Sequence, residues 1–118
     1  MSIVNELSMK PGVITAGEYA YRGDRFSYKR GLTEEHARMA SIMCRATTMS
    51  VNMEGGMIAS LWPQSGLQPV HGWVVKGPRN TVCVVANVFC FIDNEKASLN
   101  KILDFMRRAL VNETMDLV

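Results

Sequence analysis

Residues 80–94 read NTVCVVANVFCFIDN, an apolar run in which neither set of alternate residues is polar. Successive side chains of an extended strand point to opposite sides. Read as one unbroken strand, Val82, Val84, Ala86, Val88, Cys90 and Ile92 share one face. Thr81, Cys83, Val85, Asn87, Phe89, Phe91 and Asp93 share the other. Both faces need cover, so the run predicts a central strand with a packed layer on each side of its sheet. On this reading Cys83 and Cys90 sit on opposite faces, some 23 Å apart at about 3.3 Å per residue. A disulfide needs Cα atoms within roughly 7 Å, and one metal ion could not reach both sulfurs. The two cysteines are expected to be small buried hydrophobes.

The rest of the chain supplies the covering layers. Ser2 to about Met9 reads as a short helix burying Ile3, Val4 and Leu7, stopped by Pro11-Gly12. GVITAGEYAY (12–21) and RFSYKRG (25–31) read as two strands joined by a tight turn at Arg22-Gly23-Asp24. Thr33 is placed to cap a long helix, with Glu34 and Glu35 at the positive end of its dipole. The helix is expected to run to about Val51 or Met53 and to break or bend at Gly55-Gly56. A further turn or two then carries Met57, Ile58, Leu61 and Trp62 before Pro63. Residues 63–71 read as a loop, HGWVVKG (71–77) as a strand and Pro78-Arg79-Asn80 as a turn. Asp93 or Asn94 is expected to cap a last helix, with Leu99, Ile102, Leu103, Met106 and Leu110 on one apolar stripe. This order predicts an α+β layered fold, one domain over residues 1–118, with an antiparallel central sheet and a long central helix between N- and C-terminal helices.

A net charge of +2 demands neither a nucleic acid nor a membrane as partner. Residues 55–75 lack formal charge, but their glycines and prolines exclude a spanning helix. Three cysteines at positions matching no zinc or redox template, and a start without signal-peptide character, point to a reduced cytoplasmic protein. No Walker loop, dinucleotide fingerprint or pair of histidines at metal spacing occurs. No general acid–base pair is readable either, so no enzyme, cofactor or metal is expected. Arg22, Arg25, Lys29 and Arg30 lie among Tyr19, Tyr21, Phe26 and Tyr28. Such interleaving can bind single-stranded nucleic acid, but a solvated sheet edge is the favoured reading. The letters RGD at 22–24 read as that hairpin's turn rather than an adhesion motif.

Nine methionines are many for 118 residues. Met39, Met43, Ala46, Ser50, Met53 and Met57 recur at spacings of four and three, a seam along the long helix if it continues through the glycines. Core packing, a partner or dimer surface, and a methionine metal cluster are the readings open to it; methionine adapts well to irregular contacts at binding surfaces. Ile42 and Met49, on the neighbouring side, could meet the sheet and leave the seam for a partner. Cys44 lies beside Arg45, whose guanidinium could lower the thiol pKa and make it reactive; a packing role is favoured.

PGVITAGEYA (11–20), SYKRGLTEEHARMASIMC (27–44), GWVVKGP (72–78) and TVCVVANVFCFIDNEKASLNKI (81–102) together resemble the roadblock/dynein-light-chain superfamily. They are most similar to a small prokaryotic family of roadblock-like domains of unknown function. The resemblance covers most of the chain. It implies a profilin-like layered fold and a non-catalytic protein that dimerises through the long helix and an adjacent sheet edge. It also implies an adaptor or regulator, of a small GTPase or of a sulfur-metabolism system. The methionine seam then becomes the expected homodimer contact, with a second, unidentified protein as partner. The alternatives are a thiol carrier or redox protein using Cys44, and a small-ligand sensor.

Overall fold

The computed structural model of the chain describes residues 3–20, 26–29 and 33–110. Helix α1 (Ile3–Ser8) precedes strands β1 (Val13–Tyr19) and β2 (Phe26–Lys29). Helix α2 (Glu34–Leu61) follows, then a 3-10 turn (Pro63–Ser65), strands β3 (Gly72–Lys76), β4 (Asn80–Val85) and β5 (Val88–Asp93), and helix α3 (Leu99–Ala109). The strands form one antiparallel sheet in the order β2-β1-β5-β4-β3. Val4 and Leu7 of α1 and Ile102 and Met106 of α3 pack on one face, against Val13, Val85, Val88 and Ile92. Ala40 and Cys44 of α2 pack on the other, against Tyr19, Val84 and Phe89. The expected α+β layering is the observed one.

The largest departure from the sequence reading is in residues 80–94. They form two strands, turned by Ala86 and Asn87, rather than one. Ala86 takes φ 56°, the left-handed conformation that primed hairpin turns demand and that costs an L-residue about 1 kcal/mol or more. Neighbours on both sides hold it there. The Ala86 amide donates to the His71 carbonyl (3.0 Å), the Tyr19 amide to the Asn87 carbonyl (3.1 Å), and Asn87 Nδ2 to the Tyr19 carbonyl (2.8 Å). With no glycine at the turn, the usual hairpin signal is missing from the sequence. The run is still covered on both faces, but Cys83 and Cys90 become directly opposed partners. They lie across one strand pair rather than some 23 Å apart along a single strand at about 3.3 Å per residue.

Nor do the paired glycines break α2, which runs unbroken to Leu61. Gly55 is where the following loop folds back on the helix. A Cβ there would lie 2.7 Å from Val70 Cγ2 and 3.0 Å from the Leu67 carbonyl, whereas at Gly56 nothing comes nearer than 3.4 Å. Gln68 Nε2 donates to the Asn52 carbonyl across the same junction. Thr33 caps α2 as expected, accepting from the His36 amide (3.1 Å). For α3 the cap is Ser98, not Asp93 or Asn94. Asn94 is instead bonded to Thr81 Oγ1 (2.6 Å) and to the Gly77 carbonyl (2.8 Å), fastening the β3–β4 turn to the end of β5. The Arg22-Gly23-Asp24 turn, with Arg25, Arg30 and the side chains of Phe26, Tyr28 and Lys29, lies outside the described residues.

The two glycines should respond oppositely to alanine. In thermal or denaturant unfolding, Gly56→Ala is expected to raise stability by about 0.5–1 kcal/mol through helix propensity alone. Gly55→Ala is expected to lower it, because the new methyl must push Val70 and the loop backbone aside.

Candidate interaction surface

Helix α2 turns its small residues inward. Ala37, Ala40, Ser41, Cys44, Thr48 and Gly55 are its buried positions. Small side chains on the helix leave the large apolar groups of this layer to the sheet, as Tyr19, Phe89, Trp73 and Phe91. What fixes it there is a hydrogen-bonded knot. Trp73 Nε1 of β3 donates to Thr48 Oγ1 (2.8 Å), and the Tyr19 hydroxyl of β1 shares a 2.9 Å bond with the same oxygen. Thr48 is 1% exposed and Tyr19 equally buried. One hydroxyl thus ties the helix to strands on either side of the sheet's central pair.

Every residue of the methionine seam faces outward: Met39, Met43, Ala46, Ser50, Met53 and Met57 are all exposed, Met53 at 70%. At about 100° per residue, the seam and the buried stripe are centred roughly 160° apart around the helix. Ile42 and Met49, which the sequence reading turned toward the sheet, are exposed as well. They join Ile58, Leu61 and Trp62 in a face wider than the seam alone. The missed signal was the small-residue stripe at 37, 41, 44, 48 and 55, which already occupies the sheet side. On the sheet's edge strand β3, Val75 lies on the α2 side with Trp73 and is 55% exposed, extending the apolar surface beyond the helix. None of the six seam residues carries a charge.

Cys44 is buried on the sheet side of α2, and burial pushes its thiol pKa up to about 12. Burial likewise raises the Tyr19 phenol to about 12, partly offset by the bond to Thr48. Both groups stay neutral well beyond physiological pH. On the opposite face of the sheet a cavity of about 730 Å³ opens between β3 and α3, lined by Val74, Val85, Leu103 and Leu110 with Arg107 at its rim. Among the described residues no helix is long and apolar enough to cross a membrane. No three histidine, cysteine or acidic side chains among them are grouped to hold a metal ion.

A family model described as "Uncharacterized conserved protein (DUF2173)" matches residues 3–108, and the chain belongs to that family. The crystal structure of a roadblock/LC7 domain from Streptomyces avermitilis is similar, with a TM-score of 0.53 at 15% sequence identity, covering 92% of this chain and 93% of that one. The fold is therefore roadblock-like. No curated protein matches the chain.

Thr48→Val keeps the shape of the side chain but leaves the half-buried Trp73 N–H and the buried Tyr19 hydroxyl without their shared partner. It is expected to cost about 2–3 kcal/mol in denaturant unfolding. Alkaline pH should act on the same region. In the unfolded chain Cys44 and Tyr19 lose their protons near 9 and 10, in the folded one near 12. Between those values the unfolded state binds fewer protons, so stability is expected to fall as pH rises from about 9 toward 12. A titration of the thermal midpoint reads this directly, and Tyr19→Phe should flatten its upper part.

Proposed function

We propose that this member of the DUF2173 family is a non-catalytic homodimeric interaction module, an adaptor or regulator. Its two copies meet through the outward face of α2 and the β3 edge. The observation that carries this reading is the inversion of α2: small residues face its own sheet, and methionines, isoleucines, Leu61 and Trp62 face solvent. An apolar face of this extent on a monomer marks a contact surface. A two-fold interface sets the same patch against itself, and a seam without charge meets its copy with no like charges opposed. β3 ends the described sheet, so pairing β3 with its copy would join two sheets into one and satisfy the edge's free backbone groups. The roadblock-like fold supports the reading as an analogy of architecture. In it the module works in the cytoplasm, whose thiol pool keeps free cysteines reduced at rest. The surface left outside the dimer receives a second protein, of which a small GTPase is one class.

Light scattering over a range of concentrations tests the dimer. The wild-type chain is expected to be dimeric. Met43→Glu, which sets two buried carboxylates near the two-fold axis, is expected to raise the dissociation constant ~100-fold or more while the monomer keeps its helical circular dichroism. A wild-type monomer at every concentration would overturn the proposal.

A further inference from the structure

The turn at Ala86-Asn87 creates a chemical feature apart from the interaction surface. Cys83 on β4 and Cys90 on β5 are register partners, so their side chains leave the same face of the sheet. Directly opposed residues of an antiparallel pair have Cα atoms about 4.5–5.5 Å apart, within the roughly 4.4–6.8 Å that a disulfide spans. Both cysteines are free and fully buried beneath α3. The Cys83 sulfur lies 3.7 Å from the Cys90 carbonyl oxygen and 3.9 Å from Met106 Sδ. We propose that Cys83 and Cys90 are a dithiol pair that a small hydroperoxide closes to a cross-strand disulfide, with Cys44 left reduced.

The two thiols are not equivalent. Contact with Cys90 holds the Cys83 pKa below the ordinary thiol value, while the same contact and burial push Cys90 up. Cys83, whose register partner Val74 lines the cavity between β3 and α3, is the attacking sulfur, and Cys90, one strand further in, is the resolving one. The Cys83 thiolate displaces hydroxide from the peroxide O–O bond and becomes a sulfenic acid. The Cys90 sulfur then attacks Cys83, the S–O bond breaks, and water leaves with the Cys90 proton. Two thiols are oxidised to one disulfide and one hydrogen peroxide is reduced to two waters. The oxidant approaches from the cavity between β3 and α3, whose lining includes neither cysteine, so its last step to the sulfur needs local opening. The cavity wall includes Val74, the register partner of Cys83 on β3, and Val85, two residues along on the same face. Cys44 has neither a partner thiol in register nor this access: it lies on the other face of the sheet, with its proton held more tightly.

Hydrogen peroxide treatment of the folded protein, followed by acid quench, alkylation in denaturant and peptide mapping, tests the pair. The expected product is a single Cys83–Cys90 link, two hydrogens lighter than the untreated chain, with Cys44 alkylated. Dithiothreitol should reverse it, and the thermal midpoint should rise while the link is present. In a Cys90→Ala variant, dimedone should label Cys83 instead, with no disulfide formed. Full alkylation of all three cysteines, after an exposure that oxidises the denatured chain, would overturn the proposal. Loss of the Cys44 thiol first would do the same. Neither outcome bears on the α2 dimer.

Discussion

The Thr48 hydroxyl is the point on which the α2 side of the molecule depends. It lies midway along a 28-residue helix and bonds Trp73 of one strand and Tyr19 of another at once. These are polar groups in an apolar layer, and each would cost about 1–3 kcal/mol if left unpaired. The bond network therefore specifies rotation as well as position: turning α2 by even one residue would carry the shared hydroxyl away from both rings. Once Thr48 is directed at the sheet, the heptad-like phasing sends Ala37, Ser41, Cys44 and Gly55 the same way.

The outward face follows from that choice. A helix with threonine, cysteine, alanine and glycine on its inner side buries little apolar area, so it depends less on its own sheet than its length suggests. Its larger apolar residues lie in water, where each methionine or isoleucine forgoes about 1.5–3 kcal/mol of possible burial stabilisation. The contrast with α3 is instructive. That helix places Ile102 and Met106 in the main core and Arg107 and Arg108 in solvent, the ordinary amphipathic arrangement. Two helices of one small sheet thus use opposite rules.

Much of this was legible in the sequence. The existence of the three helices is readable, though not the full length of α2, and the methionine seam at 39–57 stands out because its spacing is regular and its residues unusual. The Thr33 cap and the apolar stripe of α3 followed from ordinary start signals and spacing. What escaped had local physical causes. The β4–β5 turn uses alanine in a conformation normally left to glycine or asparagine, so nothing marked it, and the two cysteines were assigned to opposite faces. The Gly55-Gly56 pair carried a breaker signal, but tertiary contact with Val70 and Leu67 gives Gly55 a different purpose. Ile42 and Met49 have the apolar bulk expected of sheet-facing residues, yet both are exposed. Burial of the small residues and the Thr48 bonds together show that they own that face.

The most direct test of the central claim is a solvent-exposure measurement on the methionine methyl groups. With ¹³C-methyl methionine and a soluble paramagnetic agent, Met9 serves as an internal reference, since it is 74% exposed and lies just after α1. If the outward face of α2 is covered in the native assembly, Met43 and Met53 should be shielded from the agent while Met9 is strongly broadened. Equal broadening of all three at high protein concentration would contradict it, and the inverted helix would then be a solvent-facing surface rather than an interface.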